Sequence, residues 1–314
     1  MSANALELLP IDISRWASGN TGIPYVTTID SGRPGPHVLL TALTHGNEVC
    51  GAHVLDYLLD QGVQPTHGRL TYAFANVAAY ERFDPSRPSE SRFLDEDMNR
   101  LWSPAILDGP RQSRELARAR ALRPIVEAAD YLLDIHSMQT SAPPLVLCGL
   151  QAKGRRLAAE VGVPPLVVAD AGHQAGPRMR DYGAFADETS PKTALLVECG
   201  QHWKMEARKV ALDTTLRFLI AVDVVDPHWA IARLGSRAVP QRFIRVTEAI
   251  TITSPDFRFH SPFEGMEVIP NAGTVIANDG ERDVATPYDD CVLIMPSRRM
   301  VVGQTAVRFG RFES

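Results

Sequence analysis

Apolar residues in the first two thirds of the chain form short continuous runs that alternate with segments of helical spacing. Residues 37–44 are almost wholly apolar, as expected of a strand buried on both faces of a sheet. Residues 49–60 then place apolar side chains at helical spacing before Gly62. Further strands are predicted at 70–75, 131–135, 144–147, 166–168 and 194–197, and further helices at 111–129 and around 212–219. This alternation predicts an α/β fold: a mixed sheet flanked by helices.

The pattern changes after about residue 226. From 240 to 314 no helical period is evident, and β-rich runs are separated by Gly, Pro, Asn and Asp. This is typical of a small all-β unit. We therefore predict two domains, an α/β domain over residues 1–232 and a β-rich C-terminal domain over residues 233–314.

Composition acts mainly by exclusion. The 314 residues are 45% apolar and 22% charged, as in globular proteins. A net charge of −5 argues against a nucleic-acid partner, and no run approaches the roughly 20 apolar residues of a membrane span. The first residues lack the features of a secretory signal, and the four scattered cysteines form no CxxC pair. We expect reduced, mostly buried thiols and a cytoplasmic protein.

Candidate metal ligands follow two of the predicted strands. His45-Gly46-Asn47-Glu48 comes directly after the first strand, and His136 directly after another. Two imidazoles and one carboxylate are a known ligand set for a catalytic zinc with one position open for water. The carboxyl ends of strands are where α/β sheets build their sites. The sequence therefore predicts one Zn²⁺ per chain, whereas His53, His67 and His173, without a partner at ligand spacing, are predicted to be structural.

Other residues supply what hydrolysis of an amide by such a site requires. Glu198, at the end of a third apolar run, could act as general base towards a zinc-bound water and then protonate the departing nitrogen. Arg92 places a positive charge where an oxyanion would form. Asn99 and Arg100 could hold a carboxylate, since a guanidinium can form two parallel hydrogen bonds.

The segments around these residues resemble the succinylglutamate desuccinylase/aspartoacylase family, which shares its fold with the zinc carboxypeptidases. They are residues 45–48, 92–100, 134–137 and 197–200, together with C-terminal segments 271–280 and 294–303. The resemblance implies that His45, Glu48 and His136 bind zinc and that Glu198 is the general base. It also implies that Arg92 donates to the substrate carbonyl, that Asn99 and Arg100 clamp a carboxylate, and that Asp97 orients the first histidine. An acid that accepts a hydrogen bond from the outer nitrogen of a metal-binding imidazole fixes the tautomer of the ring.

The residues that read a second substrate carboxylate are less well defined by the sequence. Arg178, Arg180 and Tyr182 lie in a glycine-rich stretch before the Glu198 strand, and Tyr288 and Arg298 lie in the β-rich part. We take Arg180 and Tyr288 as substrate-binding candidates. The β-rich domain is expected to cap the pocket and exclude long peptides.

Three functions remain open at this point. The first is a zinc deacylase acting on an N-acylated amino acid or similar small carboxylate. The second is a metallocarboxypeptidase acting on peptide C-termini, which the Asn99-Arg100 pair would suit equally well. The third is a non-catalytic zinc-stabilised binding protein, although holding zinc alone requires neither Glu198 nor Arg92. The sequence leaves a monomer and a homo-oligomer open.

Overall fold

A computed structural model describes residues 6–172, 175–235 and 240–313 of the chain. His173, for which the sequence predicts a structural role, lies outside the described residues. No helix in the described part of the chain combines the length and the apolar composition that a membrane crossing needs.

The chain alternates strands and helices up to residue 231 and then continues as strands. The α-helices are α1 (Val49–Asp60), α2 (Val77–Tyr80), α3 (Pro104–Leu107), α4 (Arg114–Ala128), α5 (Ala152–Val161), α6 (Met205–Ala221) and α7 (Pro227–Ile231). The strands are β1 (Val26–Asp30), β2 (His37–Ala42), β3 (Arg69–Phe74), β4 (Tyr131–Met138), β5 (Leu145–Leu147), β6 (Leu166–Ala169), β7 (Thr193–Gln201), β8 (Arg242–Thr251), β9 (Arg258–Phe259), β10 (Glu267–Ile269), β11 (Val275–Asp279), β12 (Arg282–Ala285), β13 (Cys291–Ile294) and β14 (Thr305–Glu313). The predicted α/β architecture with a β-rich C-terminal part is confirmed. The sequence prediction missed the strands β1, β9 and β12 and the helices α2, α3, α5 and α7.

Eleven strands form one mixed sheet, in the order β1-β3-β2-β4-β7-β5-β6-β8-β14-β13-β10. At its centre β3, β2, β4 and β7 run parallel, which brings their carboxyl ends to one edge. One face packs against α1, α5 and α6, and the other against α4. The four central strands are buried on both faces, which explains their continuous apolar runs.

The C-terminal strands extend this sheet rather than stacking on it as a separate layer. β8 pairs parallel with β6, and β14, β13 and β10 follow antiparallel. Pairing with β8 covers the edge of β6, whose backbone groups would otherwise lie unpaired. Three short strands, β12-β11-β9, form a second small sheet. The domain boundary between residues 232 and 233 stays a prediction, since one sheet runs across it.

The cysteines agree with the sequence prediction. All four are free and buried, namely Cys50, Cys148, Cys199 and Cys291.

Candidate active site

Three neighbouring strands deliver the candidate site residues to one edge of the sheet. His45 follows the end of β2, and Glu48 lies directly before the first residue of α1. His136 and Glu198 lie on β4 and β7 and are opposite each other in the parallel ladder. Side chains opposite each other in a ladder share a face of the sheet. The register therefore places an acid beside a candidate metal ligand.

His45, Glu48 and His136 converge into a buried group that could hold a metal ion, with one ligand atom from each residue within 4.8 Å of the others. Nδ1 of His45 lies 2.7 Å from one Glu48 carboxylate oxygen, and Nδ1 of His136 lies 2.8 Å from the other. The backbone amide of Ser137 donates to the same carboxylate at 3.1 Å. Both imidazoles thus present the same ring nitrogen to one point.

A carboxylate holds the outer nitrogen of each imidazole. Nε2 of His45 lies 2.8 Å from Asp97, and Nε2 of His136 lies 2.7 Å from Asp134. Burial opposes the charge on His136, but Asp134 and Glu48 outweigh it and raise the pKa of this ring well above its usual value. Carboxylates on the outer nitrogen typically orient histidines that bind metals. The structure thus places Asp97 where the resemblance implies, and adds Asp134.

Asp134 is fully buried and has three hydrogen-bond partners. One of its oxygens accepts from the hydroxyl groups of Thr41, at 2.7 Å, and Thr44, at 2.9 Å, and the other faces His136. Although burial opposes ionisation, the charge of His136 and these hydrogen bonds lower the pKa of Asp134. The acid therefore stays charged inside the core and fixes the orientation of His136.

Glu198 is almost completely buried, with 7% of its surface exposed. Its Oε2 atom has no hydrogen-bond partner among the described residues. Burial and the negative charge of Glu48 raise the pKa of Glu198 to about 8. A buried carboxyl with a free oxygen and a raised pKa suits a group that accepts and releases a proton near neutrality.

Arg92 lies against the ligand group rather than on the surface. Its guanidinium lies 3.2 Å from Glu48 and 3.1 Å from Asp97, and Nη2 approaches Nε2 of His45 at 2.8 Å. About a quarter of its side chain is exposed, towards the cavity that it lines. Arg92 is therefore anchored by acids and still open to a substrate.

Asn99 and Arg100 lie on the same side of the cavity. The side-chain oxygen Oδ1 of Asn99 accepts from the backbone amide of Met179 at 2.8 Å. The side-chain nitrogen Nδ2 of Asn99 lies 3.4 Å from Nε2 of His136. Burial and the positive charges of Arg92, Arg308 and Arg178 outweigh the attraction of Asp97 and lower the pKa of Arg100 to about 10. An arginine crowded by other arginines is well placed to take an anion.

The site opens into a cavity of about 570 Å³. Both parts of the chain line it. The candidate ligand group and Glu198 line it, and so do Ile294, Met295, Arg298 and Val301 of the β-rich part. The C-terminal strands therefore complete the pocket.

A cluster of buried charges forms one wall of this cavity. Asp170 bridges two arginines: it lies 3.0 Å from Nη1 of Arg178 and 3.2 Å from Nε of Arg308. Nη2 of Arg178 is buried without a hydrogen-bond partner among the described residues. Arg178 also lies 2.6 Å from Asp181, which does not line the cavity. The cavity lining on this side, which we call the positive wall, consists of three arginines and one aspartate, namely Arg100, Arg178, Arg308 and Asp170. This lining favours a carboxylate on the ligand.

The structure does not bring Arg180 and Tyr288 to the cavity, and their role in substrate binding stays a prediction. Arg180 is 2% exposed and donates to the backbone carbonyls of Cys148 and Ala194, both at 3.2 Å. The Tyr288 hydroxyl lies 2.6 Å from the Thr247 hydroxyl, and neither Arg180 nor Tyr288 is among the cavity residues. Arg178 and Arg298, the other arginines considered, do line it.

Three residues of the site escaped the sequence analysis, and one of them had a visible signal. Asp134 lies two residues before His136 on a strand, a spacing that puts both side chains on one face. Asp170 and Arg308 had no such signal, because their approach depends on the pairing of β6 with β8 and of β8 with β14.

Comparisons with known proteins find relatives of similar sequence and similar fold. The protein-family model of the succinylglutamate desuccinylase/aspartoacylase catalytic domain matches residues 34–221 of the sequence. A succinylglutamate desuccinylase of Vibrio vulnificus (strain YJ016) is 22% identical over 303 residues, which cover 91% of this chain and 83% of that protein.

Solved structures with similar folds include two from this group. The structure of succinylglutamate desuccinylase from Vibrio cholerae aligns with a TM-score of 0.68 at 16% identity, covering 92% of this chain and 86% of that one. A succinylglutamate desuccinylase/aspartoacylase structure from Rhodobacter sphaeroides aligns with a TM-score of 0.65 at 20% identity, covering 97% and 93%. At these identities the structural likeness establishes the fold.

Proposed function

Because the chain belongs to the succinylglutamate desuccinylase/aspartoacylase family, we propose that it is a zinc-dependent hydrolase that deacylates an N-acylated amino acid or a similar small carboxylate. The observation that carries the proposal is the convergence of His45, Glu48 and His136 beside Glu198.

The chemistry of the donor set supports zinc. Two imidazole nitrogens and a carboxylate leave one position of a tetrahedral ion open. Asp97 and Asp134 hold the outer ring nitrogens, so that both Nδ1 atoms face inward. When bound, zinc would supply a Lewis acid that lowers the pKa of water from about 15.7 towards about 7.

The side chains around the ligand group divide the remaining work. Glu198 takes the proton of the attacking water at its unpartnered Oε2 and delivers it to the leaving nitrogen, a role worth roughly 10²–10⁴-fold in rate. Arg92, fixed by Glu48 and Asp97, donates to the oxygen of the scissile carbonyl as negative charge develops there. Because both groups are in place before the reaction, little reorganisation is needed.

The positive wall selects the substrate. Asn99 and Arg100 hold one carboxylate, and Arg178 with Arg308 attracts a second negative group. Nη2 of Arg178 would gain from the substrate the hydrogen-bond acceptor that it lacks among the described residues. The proposed substrate is therefore an N-acyl amino acid with two negative groups rather than a neutral amide.

The proposal is tested by combining metal analysis with a substrate panel. The protein is purified with zinc and assayed for amine release from N-acetyl, N-succinyl and N-formyl amino acids, with dipeptides as the arm that reports carboxypeptidase activity. We expect about one zinc per chain, loss of activity with a chelator, and recovery when zinc is restored.

Glu198→Gln supplies the matched variant, since it keeps the shape of the side chain. It should bind zinc and lose at least about 100-fold in kcat. Activity of this variant within fivefold of the wild-type rate would refute the assigned role. If dipeptides are cleaved and acyl amino acids are not, the protein is a carboxypeptidase and the proposed deacylase activity is wrong.

A further inference from the structure

The segment from Arg92 to Arg100 carries several of the site residues at its two ends. Arg92 and Asp97 contact His45, and the backbone carbonyl of Arg92 accepts from the amide of Gly46 at 3.0 Å. Asn99 reaches towards His136. The residues between these contacts, 94–96, touch another part of the fold.

Residues 94–96 contact the first turn of α4, where Glu115 forms most of the hydrogen bonds. Glu115 is fully buried, at 0% exposure. Its Oε1 atom accepts from the backbone amide of Leu94 at 2.6 Å, and Oε2 accepts from the amides of Asp95 at 3.0 Å and Glu96 at 3.4 Å. The side-chain amide of Asn76 donates to Oε1 at 3.2 Å. One carboxylate thus gathers three consecutive amides of the segment.

Acidic side chains of the segment also accept hydrogen bonds from the N-terminal end of α4. Asp95 accepts from the backbone amide of Arg114 at 2.8 Å and pairs with its guanidinium. The hydroxyl of Ser113, the residue that caps α4, donates to Glu96 at 2.5 Å. Acids at a helix N-terminus also interact favourably with its positive end. The contact is therefore reciprocal, with bonds running in both directions.

A buried carboxylate is costly unless hydrogen bonds compensate for its lost hydration. Here the compensation comes from amides whose positions are thereby fixed. Since Arg92 lies two residues before this anchored stretch and Asp97 directly after it, the anchor limits where both side chains can lie.

We propose that Glu115 is a positioning residue, which fixes residues 94–96 on α4 and thereby holds Arg92 and Asp97 against His45. The inference rests on the proposed function for its effect on zinc and catalysis. Its structural part does not depend on that function. Asn99 has a separate anchor at Met179, so the loss of Glu115 affects carboxylate binding less than it affects the metal and the oxyanion contact.

The test is Glu115→Gln, because the amide keeps the size of the side chain but replaces one accepting oxygen by a donor. At least one backbone amide of the segment then loses its acceptor. In the zinc-free protein, hydrogen exchange of the peptide covering residues 93–97 should accelerate about tenfold or more, while exchange in β4 and β7 is unchanged. Zinc affinity, measured by competition with a chromophoric chelator, should fall about fivefold to fiftyfold. We expect kcat to fall about tenfold with KM within twofold.

Glu127→Gln is the matched control. Glu127 lies in the last turn of the same helix and bonds Arg123 and Tyr182 instead of the segment. It should leave exchange at 93–97, zinc affinity and kcat unchanged. If Glu115→Gln does not fold, Asp95→Ala removes the return bonds to Arg114 and should give the same pattern about twofold to fivefold in size.

The failures are distinguishable. Exchange and zinc affinity that match the Glu127→Gln control, with only the melting temperature lowered, would overturn the positioning role. A wild-type protein that neither binds zinc nor releases amines would overturn the proposed function, while the exchange measurement would still decide whether Glu115 anchors the segment.

Discussion

Replacing Gly51 by alanine should weaken zinc binding from inside the core. Helix α1 crosses the sheet at Gly51, and a Cβ atom there would lie 2.8 Å from Cβ of Ala42 on β2 and 3.2 Å from Cβ of Ile135 on β4. Carbon atoms in good contact are about 3.5–4.0 Å apart. The helix must therefore move away from the sheet by about 0.5–1 Å, since neither Cβ atom is the end of a flexible side chain.

This movement acts directly on the ligand group. Glu48 directly precedes the first residue of α1 and would move with the helix. His45 follows the end of β2 and His136 lies on β4, so both would stay with the sheet. Overpacking costs about 1–3 kcal/mol, and the gain of alanine over glycine within a helix returns about 0.5–1 kcal/mol. The unfolding free energy should thus fall by at most about 2.5 kcal/mol. Zinc ligands tolerate distance errors of about 0.2 Å, so zinc affinity should fall by about tenfold or more.

The assay is zinc competition with a chromophoric chelator, combined with thermal unfolding with and without zinc. Gly235→Ala is the control, because a Cβ there meets no heavy atom of the described residues within 4 Å. Wild-type zinc affinity in Gly51→Ala would refute the argument that the approach of α1 to the sheet sets the position of Glu48. So would an equal loss of affinity in both variants.

Three other substitutions test separate parts of the site. Asp134→Asn places an amide beside Nε2 of His136 and should lower zinc affinity about tenfold to a hundredfold in the same competition assay; unchanged affinity would contradict the orienting role of this acid. Arg308→Met removes a positive charge beside Asp170. Since a hydrogen bond to a charged group is worth about 1.5–3 kcal/mol, KM should rise about tenfold to a hundredfold with little change in kcat. Steady-state kinetics with an unaltered KM would exclude Arg308 from substrate binding. Arg180→Met leaves Asp181 without one of its buried partners. The unfolding free energy, measured with denaturant, should fall by about 3–5 kcal/mol, while KM stays unchanged. A raised KM in a folded variant would show that Arg180 does bind substrate.

Local sequence predicted well the longer strands and helices of the α/β part of the chain, up to residue 231. The apolar run before His45 predicts β2, and the segment predicted as a helix from 49 to 60 is α1 as observed. These predictions succeeded because burial on both faces of a strand, or along one face of a helix, imposes a periodicity that is visible within a dozen residues. The pairing of His45 with Glu48 is equally local, since one tight turn joins them.

The lining of the cavity was decided by contacts between residues far apart in the sequence. Arg178 and Arg180 lie two positions apart, and nothing in their neighbourhood shows which of them faces the cavity; the structure turns Arg178 towards Asp170 and uses Arg180 to satisfy backbone carbonyls. Arg308 reaches the same wall only because β8 pairs with β6 and carries β14 with it.

The sequence alone therefore determined the main strands and helices of the α/β part and the closeness of His45 and Glu48. Only the tertiary structure decided which arginines line the positive wall, which residues of the C-terminal part reach the pocket, and that Glu115 accepts hydrogen bonds from residues 94–96. The physical reason is that periodicity and turn geometry act over neighbouring residues, whereas a pocket wall depends on how distant strands pair and which buried charges find partners there.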